Sequence, residues 1–229
     1  QIPANLVPKT ANGTVNYVDG RPTITTGRQD NRGFEGVTVS ADGKTAYAVL
    51  QDPLVNEGAQ NDGRRSRNVR IVAFDTTTGQ STGQFIYQLE SVADINQRVP
   101  TDTFGATAQG RNIGLSGMIA LPNGKLLVLE RDNRGWGVDD STAERPVGSK
   151  RVYLVDLAGA TDVSSLSLAG TNNLPAGVVP VTKSLWFDIA AELAQYGITV
   201  TEKMEGISFG PAIDGGYAFV VVTDNDFSV

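Results

Sequence analysis

Short apolar runs come in pairs along this chain, each pair joined by a tight polar turn. One pair is GVTVSADGKTAYAVLQD, opening at Gly36. A second, GMIALPNGKLLVLERD, opens at Gly117, and a third, GISFGPAIDGGYAFVVVTDND, opens at Gly206. Each unit reads small residue, apolar strand, turn, second apolar strand, acid. Runs of this length and period predict half-buried β-strands, and Asp42-Gly43, Asn123-Gly124 and Asp214-Gly215 supply the hairpin turns. The residues just ahead of the three glycines are Glu35, Ser116 and Glu205, spaced 81 and 89 positions apart. Self-similarity at a near-constant period marks a repeat architecture.

The repeat predicts an all-β chain forming part of a β-propeller, about two and a half four-stranded antiparallel blades. In the first full blade, strands A to D are expected at 37–40, 45–51, 69–74 and 84–89. In the second they are expected at 118–121, 126–129, 152–155 and 181–187. A third blade starts at 207–209 and 217–223, and outer strands of an earlier blade are expected at 15–18 and 23–26, near Gly20 and Pro22. The resulting division is 1–32 (end of a preceding blade), 33–115 (blade), 116–204 (blade) and 205–229 (start of a further blade). One helix is expected, at 188–197, with Asp188 as N-cap and Gly197 just past its end. A ring needs at least about four blades, so the expectation is a fragment of a larger propeller. The remaining blades, or another chain, would then cover the open sheet edges. Gln1 in place of methionine fits a processed or truncated product.

Composition narrows the chemistry. The 229 residues contain no cysteine and no histidine. Thiol catalysis, disulfides, the Ser-His-Asp triad and zinc held by Cys or His are thereby excluded. A metal must be held by oxygen, which points to calcium or magnesium. The net charge of −6 argues against nucleic acid as a partner. The sequence has no apolar run of about 18 residues, so no membrane-spanning helix is expected.

Strand direction gathers the acids. If strand A starts at the upper face of a blade, strand B ends there too. Glu35 and Glu205 then meet the ends of the B strands, marked by Asp52, Glu130, Asp132, Asp224 and Asp226. The expected metal ligands are Glu35, Glu130, Asp132, Glu205, Asp224 and Asp226. Arginines crowd the loops of the same face: Arg64, Arg65, Arg67 and Arg70 in one, and Arg131, Arg134 and Arg145 in the next. Guanidinium forks match phosphate oxygens, so Arg64, Arg131 and Arg134 are the expected substrate contacts. Trp136 and Trp186 read as packing residues.

Four stretches resemble one family: NRGFEGVTVSADGKTAYAVLQDPL (31–54), LLVLERD (126–132), KRVYLVDLAGATDV (150–163) and KMEGISFG…VVVTDNDFS (203–228). The chain is similar to the phytase-like family, also described as the esterase-like activity of phytase. The resemblance implies a secreted or periplasmic propeller that hydrolyses phosphate esters, with further acidic repeats ahead of the first motif. Ser116 departs from the pattern, standing where the other copies have glutamate. The function expected is metal-dependent phosphoester hydrolysis, with calcium as the cofactor and a phosphorylated small molecule as the substrate. The alternative is a non-catalytic propeller acting as a binding or structural subunit, or an inactive fragment. The catalytic residues themselves are not fixed by the resemblance.

Overall fold

The computed structural model describes residues 1–18, 23–107, 109–137 and 145–224. Its first sheet contains β1 (Phe34–Val39) and β2 (Thr45–Leu50). After the two-residue strand β3 (Gly58–Ala59), it continues through β4 (Asn68–Asp75) and β5 (Ser81–Gln88). The four long strands pair antiparallel in the order β1-β2-β4-β5. The second sheet repeats this plan with β6 (Ile113–Ala120), β7 (Leu126–Asp132) and β8 (Lys150–Asp156). After a short β9 (Ala169–Gly170), it ends on β10 (Thr182–Asp188), giving the order β6-β7-β8-β10. A hairpin of β11 (Met204–Ile213) and β12 (Gly216–Thr223) follows. A small parallel pairing of β3 with β9 ties the loops of the two large sheets together. The molecule is therefore all-β, with repeated antiparallel sheets in meander order.

The packing follows from strand composition. All seven residues of β7, LLVLERD, are buried. Side chains alternate across a strand, so Leu126 and Val128 join the core shared with the first sheet, while Leu127 and Leu129 join the core under β11–β12. A strand apolar on both faces is what a sheet covered on both sides requires.

The first strands of the three units lie side by side, and the repeated glycines make that possible. A Cβ placed on Gly36 would stand 3.0 Å from the Met118 nitrogen and 3.1 Å from the Gly117 carbonyl carbon. One placed on Gly117 would stand 3.1 Å from Ile207 Cγ1 and 3.3 Å from its nitrogen. Thr38 Oγ1 accepts from the Ala120 amide at 2.9 Å, bridging β1 to β6. Gly36→Val is expected to lower stability by about 2–3 kcal/mol through overpacking of this seam. Gly105→Ala meets open space and should change stability by less than about 0.5 kcal/mol. Urea midpoints of the two variants check this; equal midpoints would remove the packing role of the glycine.

Several expected boundaries move. The region 1–32 forms no regular strand among its described residues; Lys9 makes isolated bridges to Val15 and Thr26. Leu6 is nevertheless buried in the core against the first sheet, so the segment acts as a strap. Gly20 and Pro22 lie outside the described residues. Strand β6 starts at Ile113, ahead of the expected start at 118, because Gly114 and Ser116 interrupt the apolar period while the backbone stays extended. Helix α1 (Val92–Arg98) was not expected. Ser91 caps it, with Oγ accepting from the Asp94 amide at 3.0 Å and donating to Asp94 Oδ2 at 2.6 Å. It buries only Val92 and Ile95, too few to show a period. A further short turn of helix, α2, covers Gln109–Asn112. The expected helix is α3 (Ile189–Gln195), capped by Asp188 Oδ1 on the Ala191 amide at 3.1 Å, with Gly197 left-handed at φ 64°.

Candidate functional site

Each first strand carries a β-bulge at the same point. The register slips between Phe34 and Gly36, between Leu115 and Gly117, and between Met204 and Gly206. The skipped residues are Glu35, Ser116 and Glu205. A bulge leaves one residue out of the ladder and re-aims its side chain, so the repeated motif presents three polar side chains at one end of the sheets. Across from them, Arg131 of β7 pairs with Gly114. Its Nε donates to Ser116 Oγ at 2.8 Å and its Nη2 to Glu205 Oε1 at 2.5 Å. One guanidinium thus joins two of the three bulges. Glu35 completes the group: partial burial and then the negative charge of Glu205 raise its pKa, against the Gly33 amide, Arg131 and Arg32, which lower it.

Asp52 lies next to this group, just beyond β2. The Gln51 amide bonds the Gly33 carbonyl, and the Leu115 amide bonds the Gln51 carbonyl. The chain is held there between β1 and β6. Asp52 is only 2 % exposed, and neither carboxyl oxygen has a hydrogen-bond partner. Its nearest cation is Arg32, with Nε 3.5 Å from Oδ2. Burial pushes the carboxyl up to about 7, opposed by Arg32, Arg131 and Arg111 and assisted by Glu35. Gly114 makes room for it, since a Cβ there would stand 2.9 Å from Asp52 Oδ1. Over Asp52 opens a cavity of about 260 Å³ walled by Arg32, Arg64 and Arg111, with Asp30 and Asn31 at its edge. Two roomier cavities, of about 340 and 420 Å³, have Asp42 and Glu192 as their respective charged residues. A further cavity of about 300 Å³ pairs Lys9 with Glu57, but Glu57 is bound to the buried Arg70 at 2.5 Å. The cavity over Asp52 gathers three arginines about a buried acid.

The other expected site residues are distributed differently. Glu130 is fully buried, accepts from Tyr87 Oη and Lys183 Nζ at 2.6 Å each, and also meets the Glu90 amide. Asp132, also fully buried, takes Lys150 Nζ at 2.9 Å and the Gly148 and Ser149 amides at 2.7 and 2.9 Å. Arg134 is 1 % exposed, stacks 3.5 Å over the Phe104 ring and pairs with Asp102 at 3.1 Å. A buried charge must find partners, and these three have found them inside the protein, away from the cavity. Arg64 does reach the cavity wall, half-exposed and held by Asp62 at 2.8 and 2.9 Å. Asp224 follows β12, its amide bonded to the Lys203 carbonyl at 2.9 Å. Asp226 lies outside the described residues. Trp186 packs edge-on against Phe209 and Phe219 but stays 43 % exposed, and Trp136 is 47 % exposed, so neither is a core residue. The structure therefore unites Glu35, Glu205 and Arg131, and adds Asp52, Ser116, Arg32 and Arg111. The acid closing β2 was the visible trace of Asp52; nothing in the sequence marks Arg111.

Among the described residues the donors do not form a cation cage: no three carboxylates stand together in a way that could hold a metal. Calcium takes six to eight oxygens, whereas Glu205 is already engaged by Arg131.

Fold and site together define an all-β protein of repeated antiparallel sheets, with an acid–arginine cluster at one end of its adjoining first strands. The chain belongs to the phytase-like family, described as the esterase-like activity of phytase, which matches residues 1–227. A curated relative from Arthroderma benhamiae (strain ATCC MYA-4681 / CBS 112371), named an uncharacterized secreted protein, is 26 % identical over 267 residues. The match covers 99 % of this chain and 51 % of the relative, so the chain spans about half the relative's length. No solved structure matches it. Among the described residues, no helix is long and apolar enough to cross a membrane.

Proposed function

We propose that this chain is part of a secreted β-propeller, and that its acid–arginine end hydrolyses phosphate esters. Family membership and the secreted relative support the class and the compartment. The meander sheets, lying with β1, β6 and β11 side by side, support consecutive blades around an axis. The observation that carries the chemistry is the cluster of Glu35, Glu205 and Arg131, linked to the arginine-walled cavity through Asp52, on which Glu35 and Arg131 both act.

Arginines neutralise the phosphoryl oxygens and align the ester. The oxygen of a water molecule attacks phosphorus, Glu35 takes that water's proton, the ester P–O bond breaks, and the alcohol leaves with a proton drawn from solvent. Calcium would have to draw Glu205 away from Arg131 and recruit oxygens beyond the described residues.

The test is hydrolysis of para-nitrophenyl phosphate by the purified protein, in calcium and in chelator. Release of nitrophenol is expected, with kcat reduced about 10²–10⁴-fold in Glu35→Gln. Absence of hydrolysis under both conditions overturns the reading. Activity that needs calcium would overturn the metal-free step.

A further inference from the structure

We propose that the cavity walled by Arg32, Arg64 and Arg111 is an oxyanion pocket in which Asp52 meets its ligand as a neutral acid, donating a hydrogen bond from the floor. The inference rests on the hydrolytic reading only for its natural ligand, the phosphoryl group of the substrate. The pocket itself stands on geometry.

Asp52 is buried with both carboxyl oxygens unpartnered, a rare condition because an unmet buried polar group costs free energy. The group next to such a carboxyl should be either a cation or an acceptor for its proton. The surroundings decide between them. Arg32, Arg64 and Arg111 wall the opening against a single further acid, Asp30. A metal ion would enter a basic enclosure; an oxyanion would enter one built to attract it.

The arginines are placed for this. Arg111 is exposed on α2, has no ion pair among the described residues, and acts on Asp52 through its charge. Arg32 leans toward Asp52 at 3.5 Å, too long to satisfy it. Arg64 is fixed by the two-pronged contact with Asp62, which presents the rest of its guanidinium to the rim. Asn31, at the mouth, has a left-handed φ of 50°, a conformation asparagine tolerates, and the turn it makes carries Arg32 over the floor.

A dianion bound among these arginines would repel an ionised Asp52 and accept a hydrogen bond from a protonated one. The groups that set its charge are Arg32, Arg131 and Arg111, which favour the carboxylate, and burial together with Glu35, which favour the acid. Burial dominates, which leaves the acid form available near neutrality.

Sulfate is the probe, because it remains a dianion from pH 5 to 9 and any pH effect then belongs to the protein. Calorimetry at pH 6 should show saturable binding in the millimolar range. Affinity should weaken about tenfold by pH 8.5, the worth of one charge-assisted hydrogen bond. Arg111→Ala, exposed and remote from the core, should weaken binding at pH 6 at least about fivefold. Asp52→Asn keeps a donor at the floor and should bind sulfate equally at both pH values. Absence of saturable binding at pH 6, or binding unchanged in Arg111→Ala, overturns the pocket. A pH dependence that persists in Asp52→Asn overturns the role of the acid. Sulfate binding in a protein that hydrolyses no ester would leave the pocket standing and remove the hydrolytic reading. Hydrolysis with KM unchanged in Arg111→Ala would do the reverse.

Discussion

Asp132→Ala is expected to destabilise the protein by about 3–5 kcal/mol, among the largest effects of any single substitution. Its carboxylate is fully buried and serves three functions at once. It neutralises Lys150, accepts the Gly148 and Ser149 amides, and so fastens the segment before β8 to the end of β7. Removal leaves Lys150 with two carbonyl partners, those of Asp132 and Glu202, and only the weaker influence of the Glu202 charge to offset its own. Burial already lowers the pKa of Lys150 to about 8, and the nearby Asp132 is what keeps it from falling further. Lys150→Met should cost less, because Asp132 keeps its backbone donors. Chemical denaturation of the two variants decides this. A loss under about 1 kcal/mol in Asp132→Ala would mean that the pair does not anchor the segment.

Asp52→Asn should have the opposite sign above neutrality. A carboxyl whose folded pKa lies near 7, against 3.8 for the ordinary side chain, holds its proton more tightly in the folded state than in the unfolded one. The folded state therefore loses stability as pH rises from about 4 to about 7, and the penalty persists above that range. A displacement of this size corresponds to on the order of 4 kcal/mol when complete. Relative to the parent, Asp52→Asn should gain a few kcal/mol in stability between pH 4 and pH 8. Urea unfolding at both ends of that window measures the gain. A stability difference that is the same at both pH values would show that Asp52 is ionised in the folded protein throughout.

The acidic repeat shows how much the sequence could carry. Glu35-Gly36, Ser116-Gly117 and Glu205-Gly206 were visible as a motif, and their even placement gave the sheets and the end at which charge gathers. The reason for the motif was not visible. Gly36 and Gly117 are points of close approach between neighbouring first strands, Gly206 faces Val222 of its own hairpin, and each preceding residue is the extra member of a bulge. Bulges are set by a partner strand's register, which a single strand's period cannot reveal.

The acids at the strand ends show the limit most clearly. Asp52, Glu130 and Asp132 look alike in the sequence, each an acid ending an apolar run. Glu130 met Lys183, from 53 positions away, and Asp132 met Lys150, from 18. Among the described residues Asp52 formed its one ion pair with Arg32, at long range, and so kept the unsatisfied carboxyl of the cavity. Arg134 and Arg131, three positions apart, divided in the same way between a buried stack on Phe104 and the bulge cluster. By itself the sequence determined the all-β repeat, the hairpins, the capped helix α3, the exclusion of thiol and imidazole chemistry, and the end where charge collects. These follow from local period, turn chemistry and composition, which need no partner. Which charges are neutralised and which stay available was decided only by tertiary structure, because a buried charge is satisfied or left open by residues that are distant in sequence and adjacent only after folding.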